Sequence, residues 1–451
     1  MAFLSPAQLD GRRPRPDWLG PGGPWPVQVF GVDDTSAQLV WRGSPAEDLC
    51  IEVGDLAVRP SPAPRAVIAL GKPGGDRPVL ADLQPGFAGA RRGGGDGAGV
   101  GHLPNGPASP FGESRRQLGP RWPAGPGSVV VDGLSPGTTY DVVASARGVP
   151  AFRACRLTTL LPPPGRLLAR FATVSDIHIG EKQFGILGRI HDTGTTPYPL
   201  RAWQAAVAEA ADWGAELLVV KGDLTRDSAP AEVRDVAGLL AAAPMRTHSI
   251  LGNHDSHLGV NVIGILDHAG SPVTLQPRAL DIPGLRLLLL NTMHADPRYH
   301  RGHVPVEQAA LVAELAAAAP GPVWLAMHHP PDLHRHPTCY PPGVPFAESR
   351  ALLRALEEAN PSTFVTCGHR HRNRLYRHGR LVISEVGSTK DYPGCWAGYK
   401  VFEGGLVQTV RRIARPDVIA WTEVTKRAMN GQWGRWSPGR LDDRCFALTW
   451  P

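Results

Sequence analysis

LLARFATVSDIH, residues 167–178, decides how the middle of the chain folds. Leu167–Val174 reads as a continuous apolar run, the mark of a strand buried on both faces. Asp176 and His178 follow directly at its carboxyl end. Ligand sites of open α/β sheets lie at that end of the strands.

The same pattern recurs outward from this stretch. Strands are expected at Glu216–Lys221, Thr247–Leu251, Leu285–Leu290, Val323–Met327, Thr363–Thr366, Leu381–Glu385, Tyr399–Phe402 and Val407–Ile413. Helical spacing marks Arg201–Trp213, Ala231–Ala242, Val306–Ala318 and Arg350–Glu358. Strand–helix alternation predicts an α/β layered domain. Four of the strands end on short polar motifs: KGD at Lys221–Asp223, GNHD at Gly252–Asp255, MHHPP at Met327–Pro331 and GHRH at Gly368–His371.

Each motif alone is a common turn, but five in order, each after an apolar run, form a constellation. Asp, Asn and His are oxygen and imidazole donors for first-row metal ions. No cysteine joins them, which excludes a structural zinc–thiolate site. Seven such donors are more than one ion needs if solvent is also to bind. They suit two ions sharing a carboxylate. Gly222, Gly252 and Gly368 beside the donors let the backbone turn tightly and approach closely.

With these residues in view, the chain resembles the calcineurin-like metallophosphoesterase superfamily over roughly Ala169–Val386. The resemblance implies a four-layered α-β-β-α sandwich and two divalent or trivalent ions, Mn, Fe or Zn. It implies that Asp176, His178, Asp223 and His371 hold the first metal. Asp223, Asn253, His328 and His369 would hold the second, with Asp223 as the bridge. It also implies that a metal-bridging hydroxide attacks phosphorus while His254 assists the leaving oxygen. Arg370, His329 and Arg226 lie near enough in sequence to reach substrate oxygens. Arg226 stands where purple acid phosphatases carry a metal-binding Tyr, and Asp255 where protein Ser/Thr phosphatases carry Glu, so neither branch fits. GNHD and HHPP resemble class III cyclic-nucleotide and glycerophosphodiester phosphodiesterases, as does Arg301–Gln308 ahead of a helix. Two alternatives stay open: a nuclease like those of double-strand-break repair, and a catalytically silent metal-binding module acting through its front domain.

That front domain is written in a different composition. Residues 27–42 and 128–160 hold short β-type runs, such as Ala37–Trp41, Ser128–Val131 and Tyr140–Ala144, punctuated by Gly and Pro. This predicts an all-β sandwich. LSPGTTY at Leu134–Tyr140 resembles the tyrosine corner of fibronectin type III domains, in which a Tyr hydroxyl ties back to the upstream backbone. The expected organisation is a tail over 1–22 and a fibronectin III-like sandwich over 23–161, with a Gly-rich insertion at about 86–127. A Pro-rich linker at 162–165 leads to a catalytic domain over 166–414. A tail over 415–451, carrying Trp421, Trp433, Trp436 and Trp450, is expected to pack on the body. Glu181–Leu200 is long enough to form a lid or a specificity wall.

Bulk properties set the remaining expectations. A net charge of +6 over 451 residues, with no dense Lys/Arg run, suits a small anionic phosphoester and offers no specific nucleic-acid feature. Six cysteines without a C-x-x-C pair read as reduced thiols. No apolar window is long enough to span a bilayer, and the first residues lack the apolar core of a signal peptide. The expected compartment is the cytoplasm; oligomeric state leaves no trace in the sequence.

Overall fold

The computed structural model describes residues 27–44, 50–54, 59–60, 125–146, 148–185, 190–256, 260–271, 273, 275–294, 300–336 and 338–450. The expected N-terminal tail and nearly all of the Gly-rich insertion lie outside the described residues.

Among the described residues, seven strands precede residue 160: β1 (Val27–Val32), β2 (Ser36–Ser44), β3 (Cys50–Val53), β4 (Arg59–Pro60), β5 (Gly125–Asp132), β6 (Thr139–Ala146) and β7 (Val149–Thr158). They form two antiparallel sheets, ordered β1-β2-β5-β4 and β3-β6-β7. Alternate residues of both sheets, among them Leu39, Trp41, Val129, Ile51, Val53 and Val142, share one apolar core. Removing a Val or Leu side chain from water contributes about 1.5–3 kcal/mol each, and this cluster holds the two sheets together. The Tyr140 hydroxyl accepts the Ser135 N–H at 2.8 Å, tying β6 to the backbone upstream.

The rest of the chain builds two six-stranded sheets. The first, ordered β12-β11-β8-β19-β20-β21, uses β8 (Leu167–Val174), β11 (Leu217–Lys221), β12 (Arg246–Ile250), β19 (Cys395–Phe402), β20 (Gly405–Arg412) and β21 (Cys445–Thr449). The second, ordered β13-β14-β15-β16-β18-β17, uses β13 (Arg278–Ile282), β14 (Leu285–Leu290), β15 (Val323–Met327), β16 (Thr363–Cys367), β17 (Arg374–His378) and β18 (Leu381–Glu385). The strands that end on motifs run parallel to their motif-bearing neighbours, β8 with β11, β11 with β12, and β15 with β16. That shared direction gathers all five motifs at one end. Phe171 and Tyr399 from one sheet meet Trp324 and Phe364 from the other in a core between the sheets. Helices α1 (Tyr198–Asp212), α2 (Pro230–Ala241) and α3 (Val262–His268) cover the first sheet, and α4 (Val306–Ala317) and α5 (Phe346–Ala359) the second. The layers are therefore helix, sheet, sheet, helix.

Several elements differ from the sequence reading. Helix α5 begins four residues before Arg350, because Pro345 presets the turn and Ser349 is buried in the first turn. β13 and β17 are edge strands of mostly half-buried residues, so they carry no clean apolar alternation. Beyond Arg415 the chain forms α6 (Pro416–Thr425), α7 (Gln432–Trp436) and α8 (Leu441–Arg444) before β21 pairs with β20. The first sheet thus continues past residue 414, the boundary that composition suggests.

The front sheets are fastened to the first six-stranded sheet by buried ion pairs. Lys400 on β19 lies 2.6 Å from Asp34 and 3.2 Å from Asp33, and Arg411 on β20 reaches Asp33 at 3.2 Å. Burial raises the Asp33 pKa, but Arg411 and Lys400 outweigh it and hold the carboxyl below its ordinary value. Two short strands, β9 (Gln183–Phe184) and β10 (Ile190–His191), pair within the Glu181–Leu200 segment. Its described residues are anchored: Glu181 pairs with buried Lys390 at 2.6 Å, and Phe184 packs with Tyr198 and Trp421.

Candidate active site

The candidate ligands leave their strands in a conformation that L-residues rarely adopt. Asp176, His178, Asp223, His369 and His371 have φ of 55°, 46°, 50°, 69° and 49°. Left-handed backbone at a non-glycine residue costs about 1–3 kcal/mol and persists where surrounding structure over-determines it. Cross-strand hydrogen bonds do so here: the Asp176 N–H donates to Gly222 O at 3.1 Å, the His178 N–H to Asp223 O at 2.9 Å, and the His369 N–H to Asp176 Oδ1 at 3.0 Å. These turns point the side chains inward.

They converge as two groups. Donor atoms of Asp176, His178, Asp223 and His371 lie within 4.8 Å of one another, and so do those of His328, His329 and His369. Asp223 faces both. Its Oδ2 is 3.3 Å from His178 Nε2, and its Oδ1 is 3.3 Å from His328 Nε2. Asn253, at the start of a single 3-10 turn, is buried with its Oδ1 unpartnered.

Ring tautomers follow from what the far nitrogens touch. His328 Nδ1–H donates to Lys221 O at 2.8 Å, which leaves Nε2 with its lone pair inward. His371 Nδ1–H donates to Asp391 Oδ2 at 2.7 Å, and its Nε2 lies 3.4 Å from Asp176. His369 Nε2–H donates to Pro342 O at 3.1 Å, leaving Nδ1 as the donor atom. His254 Nδ1–H donates to Arg226 O at 2.7 Å, so Nε2 is the atom open to a reacting group. The His254 ring stands 4.4 Å from that of His178, between centroids. Asp255 shapes this turn by accepting the N–H groups of Leu224, Thr225 and Gly252.

The electrostatics describe a site that calls for positive charge. Burial raises the Asp223 carboxyl, but His328 and His254 more than offset it and hold it well below the ordinary range. Burial opposes charge on His371, yet Asp391 and Asp176 push its pKa up to about 10; likewise Asp223 lifts His328 to about 9. Burial, aided by Lys390, holds His178 down to about 4, and burial with His328 nearby holds His369 at about 3. The raised values at His371 and His328 mark where the carboxylates attract positive charge.

Metal ions fit this donor set. Both ring nitrogens of His178, Nε2 of His328, Nε2 of His329 and Oδ1 of Asn253 are buried without a hydrogen-bond partner. An unmet buried polar atom costs about 1–3 kcal/mol, and ligation would satisfy three of these: one nitrogen of His178, His328 Nε2 and Asn253 Oδ1. A Cβ on Gly252 would lie 2.3 Å from Asp223 Oδ1 and 2.7 Å from His328 Nε2, so only glycine permits this approach. Mixed imidazole, carboxylate and amide donors suit Mn, Fe or Zn.

Two sequence expectations need correction. Arg370 offers no unpaired guanidinium nitrogen to a substrate. Its guanidinium is buried and spent on Glu385 Oε1 at 3.0 Å, Asp332 Oδ1 and Pro341 O. The side chain turns beneath the motif because those two carboxylates are the buried charges it can neutralise. Arg226 reaches Glu181 at 3.6 Å and Asp227 at 3.4 Å; the part of it that enters the site is its carbonyl. His329 does sit with His328 and His369, its Nδ1 2.9 Å from the Thr292 hydroxyl. Asp391 and Lys390, which belong to no motif, pack behind His371, as does Trp433, which the sequence marks only as packing on the body.

Residues 169–373 match the calcineurin-like phosphoesterase family. A cAMP/cGMP dual specificity phosphodiesterase of Mycobacterium tuberculosis is 36% identical over 121 residues, 26% of this chain and 37% of the relative, so the match spans little more than a third of that protein. Among solved structures, a dimetal phosphatase from Danio rerio aligns over 55% of this chain and 98% of its own, at 15% identity and a TM-score of 0.42. A purple acid phosphatase from yellow lupin aligns over 85% and 71%, at 11% identity and a TM-score of 0.38. Over residues 169–373, the stretch that carries the candidate site, the chain is thus similar to the calcineurin-like phosphoesterases.

Proposed function

We propose that the chain hydrolyses a small phosphodiester, in preference to a monoester, at a two-cation centre. The observation that carries this reading is the division of Asp223. Its Oδ2 lies 3.3 Å from His178, a member of the group with Asp176 and His371, and its Oδ1 lies 3.3 Å from His328 in the neighbouring group. Asp176, His178, Asp223 and His371 would hold one cation; Asp223, Asn253, His328 and His369 the other, with His329 beside it. Mn, Fe or Zn in these positions would supply Lewis-acid stabilisation of the phosphoryl group and activate solvent as the nucleophile.

The protein's own groups do the rest. Asp391 and the Lys221 carbonyl fix the tautomers of His371 and His328, so their lone pairs point to the cations. His254, tied through Nδ1 to Arg226 O, presents Nε2 to the leaving oxygen and donates a hydrogen bond or a proton to it when protonated. Buried surroundings keep these interactions strong, because low dielectric screens them little.

The preference for a diester is supported by GNHD and HHPP and by the partial likeness to a relative described as a cAMP/cGMP phosphodiesterase. The reading extends to the organisation of the chain: a front module over 23–161, supported as fibronectin III-like by its two-sheet core and the Ser135–Tyr140 bond, and a catalytic domain from 166. The buried thiols Cys155, Cys367, Cys395 and Cys445 fit a reducing compartment such as the cytoplasm. Among the described residues, no helix is long and apolar enough to cross a membrane. The test is turnover of cyclic nucleotides, glycerophosphodiesters, bis(p-nitrophenyl) phosphate and monoesters with added Mn²⁺ or Zn²⁺. Higher kcat/KM on diesters supports the proposal; turnover confined to monoesters would reverse it, and none on any phosphoester would favour a silent module.

A further inference from the structure

Asp391 carries more than one obligation. It is fully buried, and its Oδ2 accepts from His371 at 2.7 Å while its Oδ1 accepts the indole N–H of Trp433 at 3.1 Å. Lys390 Nζ approaches Oδ2 at 3.5 Å. Trp433 also packs edge-on to the His371 ring, 5.9 Å between centroids, and against Phe184 at 5.6 Å. A carboxylate with one oxygen pinned has one orientation left for the other.

Trp433 belongs to α7, sixty residues past the matched phosphoesterase segment, which ends at 373. The same C-terminal stretch grips the backbone on both sides of the pair. The Trp421 indole N–H donates to Lys390 O at 2.8 Å, and the Tyr392 N–H donates to the Thr425 hydroxyl at 3.0 Å. On the other side, the Asn373 N–H donates to Ser437 O at 2.9 Å, two residues after His371. These contacts hold the turn that carries Asp391 and the turn that carries His371 in one frame.

We propose that Trp433 is a positioning residue for the first cation: its indole N–H holds Asp391 turned to His371, so the segment 416–449 sets how tightly that cation is bound. The proposal rests on the two-cation reading above. Trp433 touches neither substrate nor cation and acts through Asp391. Loss of the carboxylate behind a ligating histidine weakens metal binding about 10–100-fold, and loss of the group that orients that carboxylate weakens it less.

The test is a calorimetric titration of the full chain with Mn²⁺, on wild type, Trp433→Phe, Asp391→Asn and the double variant. The visible spectrum of the Co²⁺-loaded proteins is recorded alongside. Phe keeps the ring that packs on His371 and removes only the N–H. The expected result is two Mn²⁺ sites in the wild type, one of them weakened several-fold in Trp433→Phe and about tenfold or more in Asp391→Asn. The double variant should be no weaker than Asp391→Asn alone, because the indole acts only through that carboxylate. The Co²⁺ bands should shift in Trp433→Phe. Two sites in the wild type with both affinities unchanged in Trp433→Phe would overturn this proposal alone, as would full additivity in the double variant. No cation bound by the wild type would overturn the two-cation reading, and this proposal with it.

Discussion

Asp391 Oδ2 lies 2.7 Å from His371 Nδ1, so a buried carboxylate stands behind a proposed ligand as its proton acceptor. The pair explains why the His371 pKa rises to about 10 in spite of burial, with Asp391 the largest of the forces that raise it. Before a cation can bind, that proton must be replaced. The same holds for His328, lifted to about 9 chiefly by Asp223.

Cation binding should therefore release protons. Below these values the two imidazoles are charged and compete with a cation; above them they are neutral donors. Affinity for Mn²⁺ should climb as pH rises from 6 toward 9–10 and then level. Calorimetry in buffers of different ionisation enthalpy counts the protons: release near two per chain at pH 7 is expected, and none would contradict the assignment. In the cation-free protein the sign reverses. Both pKa values are raised from 6.5, so their stabilisation is complete below about pH 6.5 and is lost as pH rises through about 9 and 10.

Gly252→Ala should damage the site more than the fold. The new Cβ would press on Asp223 Oδ1 and His328 Nε2, at 2.3 and 2.7 Å. Overpacking of this kind costs about 1–3 kcal/mol of stability. A displacement of about 1 Å at reacting groups costs on the order of 100-fold in rate. Melting curves and kcat measured side by side should show a modest fall in Tm and a large fall in kcat. Retention of full kcat would contradict the close approach.

Arg370→Ala is expected to act on stability and not on substrate binding. The side chain is buried between Glu385 and Asp332, and its removal takes one cation from each, leaving Glu385 with Arg372 at 2.7 Å and Asp332 with Arg301 at 3.4 Å. Leaving a buried charge with no partner costs about 3–5 kcal/mol, an upper bound here because Arg372 and Arg301 remain. Urea unfolding should show that loss, while KM of the folded fraction stays within about twofold of wild type. A large rise in KM with unchanged stability would restore Arg370 to the substrate.

Glu209 on α1 governs a separate pH dependence. Burial pushes its pKa up to about 7, only partly offset by the N–H groups of Ala414 at 2.7 Å and Trp396 at 3.1 Å. The folded state then holds a proton that the unfolded chain gives up near 4.5, so stability falls as pH rises from about 4.5 to about 7. The loss is on the order of 3 kcal/mol. Glu209→Gln should flatten Tm between pH 5 and pH 8; an unchanged slope would assign that dependence elsewhere.

The candidate ligands were legible because their motifs follow strands in order and resemble those of a known family; most of these strands are apolar, though β12, RTHSI, is not. Direction was not legible. Arg370 sits between two proposed ligands in sequence, yet its side chain turns under the motif toward Glu385, fifteen residues on. Asp391 and Trp433 reach His371 from 20 and 62 residues away, through a strand-to-strand turn and a short helix that no periodicity marks. The same limit hid β21, five residues whose partners on β20 lie about forty residues earlier.

The central claim is that Asp223 serves two cations at once. Metal analysis and turnover of bis(p-nitrophenyl) phosphate, on wild type and Asp223→Ala loaded with Mn²⁺, test it most directly. Two Mn²⁺ per chain in the wild type, and one or none in Asp223→Ala with turnover reduced at least about 100-fold, are predicted. Two Mn²⁺ and full turnover in Asp223→Ala would contradict it.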